Sequence, residues 1–128
     1  MQQQPILIQG AMPVEVAARR EALEGREDQT LHGFSFSTGT VEGHPLVVSE
    51  TQIGTLNAAL STAVGIGAYA PRAVINQGLA GAHVEELAVG DLVVGTATVA
   101  LHGVFCNQFA GGGTVAVLGG GTITRVEK

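Results

Sequence analysis

Glu15 is the side chain in this sequence best placed to act as a base. The apolar run Ile6-Leu7-Ile8-Gln9 breaks at Gly10, and Pro13 then marks the first turn of a helix with Glu15 two residues on. In that turn the unpaired backbone N–H groups and the positive end of the helix dipole favour the carboxylate over the acid. An ionised carboxylate aimed at the end of a buried strand can hold and polarise a water. The same position has a plainer reading, since an acidic residue there stabilises a helix by about 0.3–1 kcal/mol whatever else it does. Position alone leaves both open.

The other candidates are weaker. Gly78-Leu79-Ala80-Gly81 follows an apolar run, and its glycines serve either a close backbone approach to a ligand or a loop that needs positive φ. No Gly-Lys-Ser or Gly-Lys-Thr follows any glycine cluster, so a nucleotide phosphate loop is excluded, and the dinucleotide pattern is incomplete. His32, His44, His83 and His102 lack metal-ligand spacing, and neither a metal nor a cofactor is predicted. Cys106 stands near His102 with no orienting partner, which reads as a small core residue rather than a nucleophile. Ser35, Ser49 and Ser61 sit in no nucleophile-elbow context.

The elements that must position Glu15 are legible to different degrees. A short strand over residues 6–9, buried on both faces, precedes a helix over 13–24, with Gly25 in the place of a C-cap. Residues 30–37 and Leu46-Val47-Val48 read as two antiparallel strands joined by turn residues 39–44. Thr55 is a candidate N-cap for a helix carrying Leu56, Ala59, Leu60, Ala63, Val64 and Gly67 at amphipathic spacing, which Pro71 ends. Ala73-Val74-Ile75-Asn76 is a further strand. Leu87 to Asp91 reads as a turn into a β-branched strand over 92–100. The glycine triplets at 111 and 119 open two similar segments, read as short strands hinged on glycine. The order β-α-β-β-α-β-β predicts a single α/β domain with a mixed sheet and flanking helices.

Composition narrows the class. A chain of 128 residues is long enough to bury roughly two-thirds of its unfolded surface. Apolar residues make up 45% and charged ones 13%, a thinly charged surface that predicts a hidden contact face and hence an oligomer, a homodimer in the simplest case. The net charge of −5 offers no basic stripe, so nucleic-acid binding is not predicted. A single cysteine and no charged leader before Ile6 predict a reducing cytoplasm, and no apolar stretch approaches the roughly 18 residues of a membrane span.

Four motifs in order resemble one family, the 5′-methylthioadenosine/S-adenosylhomocysteine nucleosidases of the purine and uridine phosphorylase superfamily. Gly10-Ala11-Met12-Pro13-Val14-Glu15 resembles its opening Gly-Ala-Met-x-x-Glu, and Gln52-Ile53-Gly54 with Asn57-Ala58-Ala59 its Ser-Gly-Ile-Gly-Lys-x-x-Ala-Ala. Asn76-Gln77-Gly78-Leu79-Ala80-Gly81 resembles Asn-Thr-Gly-Ser-Ala-Gly, and Leu87 to Val94 the Leu-x-Val-Gly-Asp-x-Val-Val that follows. The likeness runs from Ile6 to about Ala100 and leaves 101–128 as a divergent, glycine-rich tail. It covers the N-terminal half of the family fold.

The resemblance implies that Glu15 activates the attacking water. Ala11, Met12, Ile53 and Gly54 would line a nucleoside pocket, with Leu79, Ala80 and Gly81 near base and sugar. The implied reaction is hydrolytic N-glycosidic cleavage of methylthioadenosine or S-adenosylhomocysteine, releasing adenine through an oxocarbenium-like state, in methionine salvage. A phosphorylase is the less favoured relative, because Asn76 stands at the strand end and Arg72 at its far end. Departures are Leu79 for the family's serine, Gln77 for its threonine and Gln52 for a glycine. The ribose-gripping Met-Glu pair and the adenine-protonating Asp of the family belong to its C-terminal half and have no match up to Lys128. The alternative is therefore a catalytically silent nucleoside-binding or assembly module.

Overall fold

The computed structural model describes residues 3–81, 85–101 and 121–127. They belong to two compact units, Met1–Gly81 and Ala82–Lys128.

In the first unit the chain runs β1 (Ile6–Gly10), α1 (Pro13–Glu21), β2 (Glu24–Leu31), β3 (Phe34–Val41), β4 (His44–Glu50), α2 (Thr55–Tyr69) and β5 (Ala73–Asn76). The sheet order is β2-β3-β4-β1-β5. β1 is parallel to both neighbours, with Ile8 opposite Val48 on one side and Ile75 on the other, and β2-β3-β4 is an antiparallel meander. This is the mixed sheet with flanking helices that the sequence predicts.

Period-two alternation in β4 divides the core. Val47 packs with Leu7, Phe34 and Phe36, against which Val64 and Tyr69 of α2 close, whereas Val48 packs with Val16 of α1 and Leu23. The two helices thus cover opposite faces of the sheet. A buried hydrogen bond of 2.9 Å between the hydroxyls of Ser49 and Ser61 joins β4 to α2.

Four expectations need correction. There are three strands between the helices, not two, because a hairpin at His32-Gly33 interrupts the span read as one strand. Both residues have positive φ (50° and 86°), as do Glu42 and Gly43 at the next hairpin (49° and 76°), the handedness that matches strand twist. Second, α1 ends at Glu21 with Ala22 as its C-cap. Gly25 lies in β2 at the irregularity between Glu24 and Glu27, where its φ of 63° accommodates the shifted pairing with β3. Third, of the apolar stripe read on α2, Val64 packs on the sheet but the leucines do not. Ser61 and Gly65 are buried, while Leu56 and Leu60 are 72% and 50% exposed. A Cβ on Gly65 would sit 2.8 Å from Leu7 Cδ2 and 3.1 Å from Phe36 Cε1, so only small residues allow this helix so close to the sheet. Fourth, the N-cap of α2 is Gly54 rather than Thr55.

In the second unit, β6 (Val94–Leu101) pairs antiparallel with β7 (Gly121–Glu127). The turn before it is closed by Asp91, whose carboxylate accepts from Ala88 N at 2.9 Å while its own N–H donates to Ala88 O at 3.2 Å. His83, His102, Cys106 and the first glycine triplet lie outside the described residues. No helix among the described residues is long and apolar enough to cross a membrane.

Candidate active site

Parallel strands β4, β1 and β5 all present their carboxyl ends at one edge of the sheet. The chain leaves β1 for α1 on one face and leaves β4 for α2 on the other. In open α/β sheets such a divergence, outside the carboxyl ends of the strands, is the usual ligand position. Thr51 fastens the ends of β4 and β1 to each other. Its N–H donates to Gly10 O at 2.8 Å, and the residue is buried.

Glu15 occupies the first turn of α1, just after the carboxyl end of β1. Met12, the N-cap, has no side-chain oxygen to cap the helix, so Glu15 reaches back to serve the exposed donors itself, half of a capping box. Its Oε2 accepts from Ala11 N at 2.8 Å and Met12 N at 3.0 Å. Its Oε1 accepts from Leu79 N at 3.0 Å, across from the loop after β5. Three backbone donors therefore converge on one carboxylate. They hold its pKa below the ordinary 4.5, the Leu79 bond contributing most, partial burial opposing it, and the Met12 and Ala11 bonds adding to the depression. Glu15 is ionised at neutral pH. Oε2 is saturated, while among the described residues Oε1 takes a single hydrogen bond and keeps an acceptor direction for a water.

Gly78 owes its identity to this contact. Its φ is not positive, so no αL turn is involved, and a Cβ there would lie 2.8 Å from Glu15 Oε1, a close approach to the protein's own carboxylate. Gly10 is similarly constrained, because a Cβ would meet Val16 Cγ1 at 2.9 Å and Glu15 Cβ at 3.0 Å.

Ala11, Met12, Glu15 and Leu79 are thus brought together by hydrogen bonds, the first two and Leu79 through their backbone N–H groups. Leu79 itself is 78% exposed. Ile53 and Gly54 lie at the same sheet edge, in the turn that opens α2. There Ile53 O accepts from Asn57 Nδ2 and Gly54 O from Ala58 N, and no described hydrogen bond joins either residue to Glu15. Ala80 and Gly81 continue the exposed loop after Leu79. Asn76 is tied back to the buried Gln9 at 3.4 Å, and Thr62 of α2 donates to the same Gln9 at 2.9 Å. The remaining carboxylate at this edge, Glu50, is engaged by Arg20 at 3.4 Å. Among the described residues no group of three or more His, Cys, Asp or Glu can hold a metal ion. Thr51 and the side chain of Gln77 are parts of the arrangement that sequence reasoning missed. For Thr51 the available signal was its place directly after a buried strand.

Residues 5–121 match the sequence profile described as the phosphorylase superfamily. A 5′-methylthioadenosine/S-adenosylhomocysteine nucleosidase of Anoxybacillus flavithermus is 43% identical over 94 residues, 73% of this chain and 40% of the relative. Among solved structures, the nucleosidase of the same name from Neisseria meningitidis, in complex with methylthio-immucillin-A, has 36% identity and a TM-score of 0.70 over 79% of this chain and 43% of that one. That of Colwellia psychrerythraea, in complex with adenine, has 35% identity and a TM-score of 0.72 over 80% and 42%. The chain spans about 40% of the length of the curated relatives it matches.

Proposed function

The chain belongs to the phosphorylase superfamily, and from that premise we propose that it supplies the water-activating side of a purine nucleosidase site, cleaving the N-glycosidic bond of 5′-methylthioadenosine or S-adenosylhomocysteine to release adenine. The observation that carries this reading is Glu15: a carboxylate held by three backbone N–H groups at the carboxyl ends of β1 and β5, with one acceptor direction open on Oε1.

A carboxylate with a lowered pKa is a weak base, and the reaction tolerates that. As the bond from the sugar to the base nitrogen lengthens, the electron pair leaves with the purine, and positive charge develops on the ribose. Water then attacks an oxocarbenium-like centre that needs little nucleophilic strength. Glu15 orients that water, its negative charge opposes the charge on the sugar, and it accepts the proton once the new bond to oxygen has formed. The fixed N–H donors keep it ionised and aimed throughout. Ala11 and Met12 on one side, Ile53 and Gly54 on another, and Leu79, Ala80 and Gly81 on the third would border the nucleoside. Protonation of the departing purine is assigned to no described residue.

The proposal extends to a cytoplasmic homodimer acting in methionine salvage, a single domain that uses no cofactor. Ile53, Leu56 and Leu60, 73%, 72% and 50% exposed, support a covered face along α2. One observation favours a second reading, a nucleoside-binding or assembly module without turnover: the residue whose N–H meets Glu15 is Leu79, which carries no hydroxyl where the resemblance places one. Chromatography for adenine after incubation with methylthioadenosine, with Glu15→Gln in parallel, separates the two. Adenine that depends on Glu15 supports the hydrolase, and adenine-free or Glu15-independent mixtures support the silent module.

A further inference from the structure

We propose that Gln77 is a positioning residue for Glu15: its side-chain amide braces the loop after β5 against the first turn of α1 and so holds the Leu79 N–H on the Glu15 carboxylate. This deepens the nucleosidase reading and rests on it for its functional meaning, though not for its geometry.

Three successive residues of the loop touch Glu15. Gln77 Nε2 donates to the Glu15 main-chain carbonyl at 2.6 Å. The Gly78 backbone approaches so closely that a Cβ would fall 2.8 Å from Oε1. Leu79 N donates to that same Oε1 at 3.0 Å. Glu15 is thereby gripped from one loop at both its backbone and its carboxylate. The Gln77 backbone is fixed independently, because its N–H donates to Gln9 O at 2.8 Å and extends the β1–β5 ladder by one residue. The other end of its amide is occupied as well: Oε1 accepts from Arg19 Nε, one turn along α1, at 3.5 Å.

In an α-helix the carbonyl of residue 15 already serves the N–H of residue 19. The Gln77 amide takes its second lone pair, a bond that holds the loop without competing with the helix. The loop otherwise has little to hold it. Gly78, Leu79, Ala80 and Gly81 are all exposed, and β5 is an edge strand of four exposed residues. A backbone donor on such a loop stays within hydrogen-bond distance of a side chain only if something else sets the spacing. The Gln77 amide sets it from two residues away.

The test is a pH titration of the full chain by NMR, following the Glu15 carboxyl carbon and the Leu79 amide proton. Gln77→Met keeps the length and removes both amide contacts, and Gln77→Asn keeps the amide but shortens its reach. Each variant is expected to raise the Glu15 midpoint and to diminish the Leu79 amide response to it, while the Asp28 midpoint on β2 stays where it is. Unchanged Glu15 and Leu79 titrations in a folded variant overturn the proposal. So does a parallel shift of Asp28, which marks a general loosening. A measurement on the unmutated chain stands beside these should the variants fail to fold: the Gln77 Nε2 protons exchange with solvent more slowly than those of exposed Gln3, and equal rates overturn the brace. None of these readouts requires turnover. A chain that releases no adenine but shows the shifted midpoint refutes the nucleosidase reading and leaves the brace standing.

Discussion

The backbone N–H of Leu79 donates to Oε1 of Glu15 at 3.0 Å across 64 residues of chain. It joins the loop after β5 to the first turn of α1, and it is the largest cause of the lowered Glu15 pKa. A charged, aimed carboxylate at this sheet edge is thus a product of tertiary structure and not of the helix terminus alone.

Stability follows the protonation of that carboxylate. The folded-state pKa lies below the ordinary 4.5, so the N–H bonds contribute stability in full above the unfolded value, and the contribution is lost as pH falls through the lowered folded value. Urea unfolding of the wild type and of Glu15→Gln over a pH series tests this. The gap between them should stay constant near neutrality and narrow on acidification below 4.5. A gap that widens towards acid contradicts the assignment.

Gly78→Ala should damage the site more than the fold. The added methyl would lie 2.8 Å from Glu15 Oε1 and nowhere near the buried clusters, so the carboxylate must turn away from the Leu79 N–H. Adenine release should fall at least tenfold while the unfolding midpoint moves little, given the about 1.4 kcal/mol per decade of rate. Gly65→Ala is the contrasting case. It presses on Leu7 and Phe36 and is expected to cost about 1–3 kcal/mol in denaturant unfolding.

The Ser49–Ser61 pair should be non-additive. Ser61→Ala strands a buried hydroxyl on β4 and should cost about 1–3 kcal/mol, whereas the double change to alanine should cost less than the sum of the two single changes. A double-mutant cycle by urea unfolding measures the difference, and strict additivity would remove the bond from the account.

Leu56→Glu and Leu60→Glu probe the outward face of α2. Both side chains are exposed, so each change should alter the stability of the isolated chain by no more than about 0.5 kcal/mol. Sedimentation velocity should show dissociation of the proposed dimer by either charge. An unaltered sedimentation coefficient would place the contact elsewhere.

How far the sequence announces this structure depends on whether local pattern and tertiary role agree. For β1, β4, the start of α1 and the Pro71 end of α2 they do, because apolar runs and helix breakers coincide with what the sheet buries. They disagree for β2. Glu24 to Thr30 are exposed along their whole length, and the strand exists because β3 pairs with it. They are opposed in α2, where the leucines face outward and Ser61 and Gly65 face the sheet. At the site, Glu15 is visible from the helix start that precedes it. Leu79 is visible only as a side chain, whereas its contribution is an N–H that any residue but proline would provide. The Gln77 amide finds its partner 62 residues back in the chain, a pairing that no spacing in the sequence expresses.

The central claim, that Glu15 activates water for glycosidic cleavage, is tested most directly by measuring adenine released from methylthioadenosine by the purified chain and by Glu15→Gln. The account predicts adenine from the wild type and a loss of about 10²–10⁴-fold in the variant, the range typical of removing a general base. No adenine from the wild type at high protein concentration, or equal release by the two proteins, would contradict it.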